Sequence, residues 1–208
     1  MQTTLAIDCS FAGLTLALRH TATGQLWSFT TPTPRSSEIL ALELSNLFKA
    51  SKTDVFSLST ILATVGPGSF TGARLGLATA QALKLVNKNI TIIGLSTLQT
   101  LATQIVEELH PTQPITLFLD AAGGQTYTQT FTPTAQPLTE ATCQPIDEAM
   151  QNTPSHHHLA AQSSLMLPRP HHHLDSLTPQ ALFATAQNPA FHLAPEPVYL
   201  KPLTYAHA

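Results

Sequence analysis

Hydrophobic and polar positions alternate in three short segments at the start of the chain, Leu5 to Cys9, Leu14 to Leu18 and Gln25 to Thr30. Period-two alternation marks half-buried strands, and Ala12-Gly13 and Thr23-Gly24 are turn signals between them, so the pattern predicts a three-stranded antiparallel meander. The period then lengthens. From Ser37 to Ala50, Ile39, Leu40, Leu42, Leu44, Leu47 and Phe48 recur at helical spacing, behind Pro34 and with Ser36 or Ser37 as the expected cap. Ile61 to Val65 is a short apolar run that ends in glycine and reads as a buried strand, and Phe70 to Val86 follows as a second helix. Ile90 to Ile93 predicts another strand, and Ser96 to Leu109 a third helix with Leu98, Leu101, Ala102, Ile105 and Leu109 on one face. Three strands followed by helix, strand, helix, strand and helix predict a mixed α/β lobe whose later strands are parallel and joined by right-handed crossovers.

The pattern weakens after His110. Ile115 to Leu119 and Gln125 to Phe131 read as a hairpin across Gly123-Gly124, and His157 to Gln162 as a strand. Pro145 to Met150 reads as a short helix, and Pro179 to Gln187 as a helix that opens at an N1 proline after Thr178. The tail from Pro195 to Pro202 is expected to be extended by its prolines. Composition changes at the same place: thirteen of sixteen prolines and eight of ten histidines lie beyond His110, and no glycine follows Gly124. Seven of the nine Lys and Arg precede that point, against six of the twelve Asp and Glu, so the acidity sits in the second half. Two lobes are expected, residues 1–110 and 111–208.

With 208 residues the chain is long enough to bury a substantial core. Only 10% of residues are charged and the net charge is −3, which argues against a coiled coil or a salt-bridged surface. No basic run is present, and phosphate neutralisation requires clustered cations, so a stand-alone nucleic-acid binder is not expected. Cys9 and Cys143 are too few and too far apart for a disulfide framework or a zinc knuckle. Asp8 interrupts the apolar start that a signal peptide would need, and no apolar run reaches membrane-spanning length, so the expectation is a cytoplasmic protein with no membrane contact.

The most specific segment is VGPGSFTGARLGLATAQALK, Val65 to Lys84. Gly66, Pro67 and Gly68 make a turn out of the strand, and Ser69 or Thr71 can cap the helix that follows. A strand, a glycine turn and a helix N-terminus form a candidate anion cradle of Gly66, Gly68, Ser69 and Arg74. It is not a P-loop, because five residues separate Gly66 from Gly72 and Ala73-Arg74 replaces Lys-Ser/Thr. It is one residue too long for a dinucleotide fingerprint and lacks the glycine of a nucleophile elbow. Gly72, Gly76 and Ala80 recur every four residues. Helix-interior glycine costs about 0.5–1 kcal/mol against alanine, so this ridge of small residues implies close approach of another backbone, within the chain or in a partner.

GPGSFTGARLGLATAQAL resembles the signature of the TsaB (YeaZ) family of tRNA threonylcarbamoyladenosine biosynthesis proteins. LAIDCS resembles the family's first strand, IGLSTLQTLA its following strand and helix, LFLDAAGGQTY the opening of its second lobe, and PVYLK its carboxyl-terminal motif. The resemblance covers most of residues 1–132 and the tail, and almost nothing between Pro133 and Ala194. It implies an actin-like, sugar-kinase-like (ribonuclease H-like) α/β fold of two related lobes with mixed sheets flanked by helices. It also implies a non-catalytic subunit that supports TsaD, the metal-bearing transferase subunit, with the ATPase TsaE as third member. No cofactor is then required by this chain, ATP and metal belong to the partner subunits, and tRNA is reached only through the complex.

On this resemblance the interface with TsaD involves Ile39, Leu40, Glu43 and Leu47 of the first helix, with Phe70, Gly72, Ala73, Gly76, Leu77 and Ala80 of the second. A homodimer through the same surface is expected as well. Two departures stand out: Ser36 where the family commonly has histidine, and Ala122 where it commonly has arginine, with Gln125 a candidate for the acid or amide that follows.

Two other functions compete. Asp8 stands where an actin-like kinase or ATPase places a carboxylate near Mg²⁺ and phosphate, but the turn after it lacks a glycine-rich phosphate loop. His156-His157-His158 and His171-His172-His173 suggest a metal site, yet neighbours within a triplet cannot all reach one ion and no HExxH pair is present. Proteolysis finds no nucleophile, base and orienter. Trp27 and Phe29 read as core or edge-strand aromatics rather than a base-stacking platform, which would need interleaved cations.

Overall fold

The computed structural model describes residues 2–32 and 36–201. Pro34, expected before the first helix, and Pro202, at the end of the tail, lie outside them. Three antiparallel strands open the chain, β1 (Thr3–Asp8), β2 (Leu14–His20) and β3 (Leu26–Thr31). Helix α1 (Ser36–Ser51) leads through a 3₁₀ turn (Val55–Ser57) to β4 (Leu58–Gly66), then α2 (Phe70–Val86), β5 (Thr91–Ser96) and α3 (Thr97–Leu109). β4 pairs parallel to β1 and β5 parallel to β4.

The second half repeats this order. β6 (Ile115–Asp120), β7 (Gln125–Phe131) and β8 (Thr142–Pro145) form an antiparallel meander. α4 (Ile146–Gln151), β9 (His158–Gln162), β10 (His172–Leu174) and α5 (Pro179–Thr185) follow, with β9 parallel to β6 and β10 parallel to β9. The first sheet runs β11-β5-β4-β1-β2-β3, where β11 (His192–Leu193) returns from the tail, and the second runs β10-β9-β6-β7-β8. Leaving out the edge strand β11, the five strands of each sheet therefore share one topology. The copies differ after the fourth strand: α2 joins β4 to β5, whereas an irregular segment, 163–171, joins β9 to β10.

Strand alternation sorts the core into layers. Leu5, Ile7, Leu14, Leu16, Leu18, Ile61 and Val65 point to the outer face of the first sheet, where Leu40, Leu44, Leu47, Leu77 and Ala80 cover them. Ala6, Ala17 and Leu62 point to the opposite face, into a core shared with Leu98, Leu101 and Ile105 of α3 and Leu182 and Phe183 of α5. That core continues onto the second sheet through Ile115, Leu117, Leu119 and Phe131, so α3 and α5 are sandwiched between the sheets. Phe118, Leu159 and Ala161 face outward under Ala149 of α4 and Leu167.

Most of the predicted elements are present with ends shifted by a few residues. The differences are β8, β10 and β11, which the pattern did not predict and which are two to four residues long, too short to carry a period. Ser36 is helical rather than a cap, and its hydroxyl donates to the Gly13 carbonyl at 3.1 Å, tying α1 to the β1–β2 turn. The cap of α2 is Ser69, whose side chain accepts from Gly72 N at 3.1 Å.

Candidate functional site

Asp8 ends β1 at the point where an actin-like enzyme would need a free carboxylate. Here it is 1% exposed, and Oδ1 accepts from Ser10 N and Ser10 Oγ, both at 2.9 Å, and from Thr64 Oγ1 at 2.6 Å. Ser10 Oγ also lies 2.7 Å from Thr97 Oγ1, so the carboxyl joins β1, β4 and the first turn of α3. Burial pushes the Asp8 carboxyl above its usual range, and the hydrogen bonds from Thr64 and Ser10 oppose the shift. The next residue, Cys9, is buried and its thiol is pushed far up, chiefly by burial and secondarily by Asp8, which removes it as a nucleophile. The geometry makes Asp8 a structural tie.

The glycine turn is packed against the same strand end. Ser69 N donates to the Ser10 carbonyl at 2.7 Å, and a Cβ at Gly68 would fall inside the van der Waals shell of that carbonyl. Gly68 therefore owes its identity to close approach, and its φ of +152° adds to the requirement. Of the expected anion cradle, the Ser69 N–H is thus engaged within the chain, as is the N–H of Gly72 on the following turn. Gly66, at the start of the turn, is covered by the tail: Val198 N donates to Val65 O at 2.8 Å, and a Cβ on Gly66 would stand 3.2 Å from Val198 O. Arg74 turns to the tail as well. Its Nε donates to the Tyr199 hydroxyl at 2.8 Å and its guanidinium sits 3.8 Å from the centre of the Phe70 ring, which lies 5.1 Å from that of Tyr199. The reading of Arg74 as part of an anion cradle did not include this clamp.

Between the lobes lies a cleft of about 470 Å³. One wall is the β1–β2 turn with Ser69 and Phe70, and the other is Asp120, Ala121, Ala122, Tyr127 and Gln162. Asp120 closes β6 as Asp8 closes β1, but it is exposed, and its Oδ1 accepts from Ala122 N at 2.7 Å. Lys201 crosses from the tail and donates to the Ala121 and Ala122 carbonyls at 2.7 and 3.0 Å. Ala122 has φ +56°, and Lys201 covers the turn where the family commonly has arginine. Sequence reasoning missed Asp120, Gln162, Tyr127 and Lys201. The signal that could have found Asp120 is the repeat of LAIDCS at Leu5 in LFLDAA at Leu117, an offset far longer than those of solenoid repeats.

A second concavity runs along the outer face of α1 and α2. It is a groove of about 730 Å³ lined by Leu40, Leu44, Phe48, Leu83 and Val86, with Lys49 and Lys52 at one rim. Exposed Leu42 (61%) and Leu85 (78%) lie on the same two helices. The expected interface residues divide sharply. Glu43 and Ile39 are half-buried and Phe70 is exposed, whereas Leu40, Leu47, Gly72, Ala73, Gly76, Leu77 and Ala80 are buried in their own lobe. This corrects the ridge. A Cβ on Gly72 would stand 2.7 Å from the Cys9 carbonyl carbon and closer to its oxygen, and one on Gly76 would meet Ile7 Cγ2 at 3.5 Å. The small residues let α2 lie on β1 of the same chain, and the surface open to a partner is formed by the positions beside them.

The histidine triplets do not converge on an ion: among the described residues no three of His, Cys, Asp and Glu are placed to share one. His157 Nδ1 is 2.9 Å from Thr116 Oγ1, His171 Nδ1 is 2.9 Å from Arg169 O, and His172 Nε2 is 3.5 Å from a Glu108 carboxylate oxygen. Burial, with His156 and Arg169 nearby, lowers the His157 pKa. Trp27 and Phe29 pack on the outer core of the first sheet. No helix among the described residues is long and apolar enough to cross a membrane.

Two lobes that share one strand order and close on a cleft define the actin-like class of α/β proteins. The family model for tRNA N6-adenosine threonylcarbamoyltransferase, TsaD, matches residues 33–194. The tRNA threonylcarbamoyladenosine biosynthesis protein TsaB of Escherichia coli is 30% identical over 123 residues, 59% of this chain; the match spans about half, 52%, of that relative. Two solved Pseudomonas aeruginosa structures share the fold. One is an uncharacterized protein with similarity to peptidase YeaZ, with TM-score 0.76, 22% identity, and coverage of 97% of this chain and 100% of that one. The other is YeaZ, with TM-score 0.74, 21% identity, and coverage of 96% and 100%. The chain belongs to the TsaB (YeaZ) family, within the reach of the TsaD family model.

Proposed function

We propose that this chain is a non-catalytic subunit of the cytoplasmic machinery that forms threonylcarbamoyladenosine next to the tRNA anticodon. It binds a TsaD-type partner through the outer face of α1 and α2, and the pair presents the surface that a TsaE-type ATPase joins. The observation that carries this reading is the groove between those helices, whose floor is the buried Leu40 and Leu44 and whose open apolar surface is Phe48, Leu83 and Val86. Contiguous apolar surface of this kind is unfavourable in water and is relieved when ridges of other helices enter it. The position of Asp8 supports the non-catalytic part: its carboxyl is buried, its Oδ1 ties β1 to Ser10 and Thr64, and it is not among the residues that line the cleft. ATP and metal then reside on the partner subunits, and tRNA is met only in the complex.

The test is size-exclusion chromatography with light scattering of this protein mixed with TsaD from its own source, alone and with TsaE and ATP. A one-to-one complex is expected, and Ala82→Arg should abolish it without unfolding the chain, because Ala82 is exposed on the groove wall. In the absence of TsaD the same groove should pair two copies, and Ala82→Arg should return them to monomers. A chain that ignores TsaD, or that turns over ATP alone, overturns the proposal.

A further inference from the structure

The tail between Pro197 and Lys201 touches both walls of the interlobe cleft. On the first lobe, Val198 N is bonded to Val65 O, and Tyr199 is held by Arg74 and stacked near Phe70, which itself lines the cleft. On the second, Lys201 Nζ is bonded to the carbonyls of Ala121 and Ala122, which line the opposite wall. Only two residues separate Val198 from Lys201, so one short segment carries both anchors. The large core around α3 and α5 sets the position of the lobes. The tail adds a link across the rim, made of a few hydrogen bonds, one aromatic stack and the half-buried Leu200 at the edge of that core, with Val198 and Tyr199 exposed.

We propose that residues 197–201 are a strap that gates the cleft, with Tyr199 and Lys201 as its two anchors. Interactions of this kind are at the weak end of local stability, so the strap can release without disturbing either sheet. Its release uncovers the mouth bounded by Phe70 and Ala122 and frees Arg74 and the Ala121 and Ala122 carbonyls for other partners. The inference does not depend on the binding of TsaD, because it concerns the opposite side of α2 from the groove lining and the chain by itself.

A sieving experiment tests it. In the full chain carrying Cys143→Ser, a reporter Ala12→Cys is placed on the cleft wall; Cys9 lines the same cleft but is buried, and its background is read in the protein without the reporter. The reporter is modified by a small methanethiosulfonate and by the same group linked to a bulky polymer. Lys201→Met and Tyr199→Ala should each raise the bulky-reagent rate about tenfold, the effect of losing one anchor, and leave the small-reagent rate and the circular dichroism unchanged. An unchanged bulky-reagent rate overturns the proposal, as does an equal rise for both reagents, which would signify general loosening. Hydrogen exchange at the Val198 amide provides the second readout: faster exchange in the variants without a bulky-reagent gain means that the tail detaches but does not gate, and the proposal fails.

Discussion

Gly72 and Gly76 stand one helical turn apart on α2 and face the same strand, yet alanine should have opposite effects at the two. A Cβ on Gly72 would stand 2.7 Å from the Cys9 carbonyl carbon, against backbone that cannot rotate away. To restore ordinary contact, the first turn of α2 would have to lift off β1 by about 1 Å or more, straining the Ser69 N bond to Ser10 O. Overpacking of this kind costs about 1–3 kcal/mol, and the backbone character of the obstacle places Gly72→Ala at the upper end. The better helix propensity of alanine returns at most about 0.5–1 kcal/mol. A net loss of about 2 kcal/mol lowers Tm by about 4–8 °C in a chain of this size. At Gly76 the new methyl would meet Ile7 Cγ2 at 3.5 Å and Cys9 Sγ at 3.8 Å, ordinary van der Waals contact. Gly76→Ala should therefore leave Tm unchanged or raise it by a degree or more. Thermal unfolding followed by circular dichroism, with urea midpoints as a second measure, decides the matter. A Gly72→Ala protein as stable as wild type, or a Gly76→Ala protein as damaged as Gly72→Ala, would refute the argument from close approach.

Three further outcomes are expected. Because burial raises the Asp8 carboxyl above the ordinary aspartate range, the unfolded chain ionises first as pH rises; the stability held below that range is lost as pH climbs from it through the raised folded value. Asp8→Asn should therefore gain on wild type with rising pH in urea titrations, and a deficit that is constant across pH would contradict the shift. Asn87, which closes α2, donates from Nδ2 to Val55 O at 3.0 Å and Leu58 O at 3.1 Å, so Asn87→Ala strands buried carbonyls and should cost about 1–3 kcal/mol, read as a fall in urea midpoint. Arg74→Gln should release Tyr199 and quicken hydrogen exchange at Val198 while leaving the core amides of β4 slow; equal acceleration in both places would mean that Arg74 supports the sheet itself.

The first lobe was legible because each of its elements is long enough to show a period and is bounded by a strong signal. α2 was found from Phe70 to Val86, and Ser69 was one of two foreseen caps. The ridge on that helix was visible too, but spacing reports only that something comes near, not whether it is β1 or another molecule. The histidine triplet at 171–173 conceals a strand, β10, since three polar residues carry no alternation that a reader could use. Lys201 was invisible for another reason: its partners, the carbonyls of Ala121 and Ala122, are main-chain groups with no side-chain signature and lie 80 residues away. The apolar groove was half legible, because helical spacing gave the faces of α1 and α2 but not their separation.

Arg169 has a consequence for how this chain comes apart. Where the first lobe has α2, the second has the irregular segment 163–171, which rests on the sheet through Leu167 and whose far end is stapled by one guanidinium donating to the carbonyls of Thr153, Pro154 and Ser155 at 2.9 to 3.1 Å. A helix shares its load among many bonds and loses them one turn at a time, whereas a staple lets go at once. The outer layer of the second lobe, held by one staple and one small apolar cluster, is therefore where a protease should make its first cut.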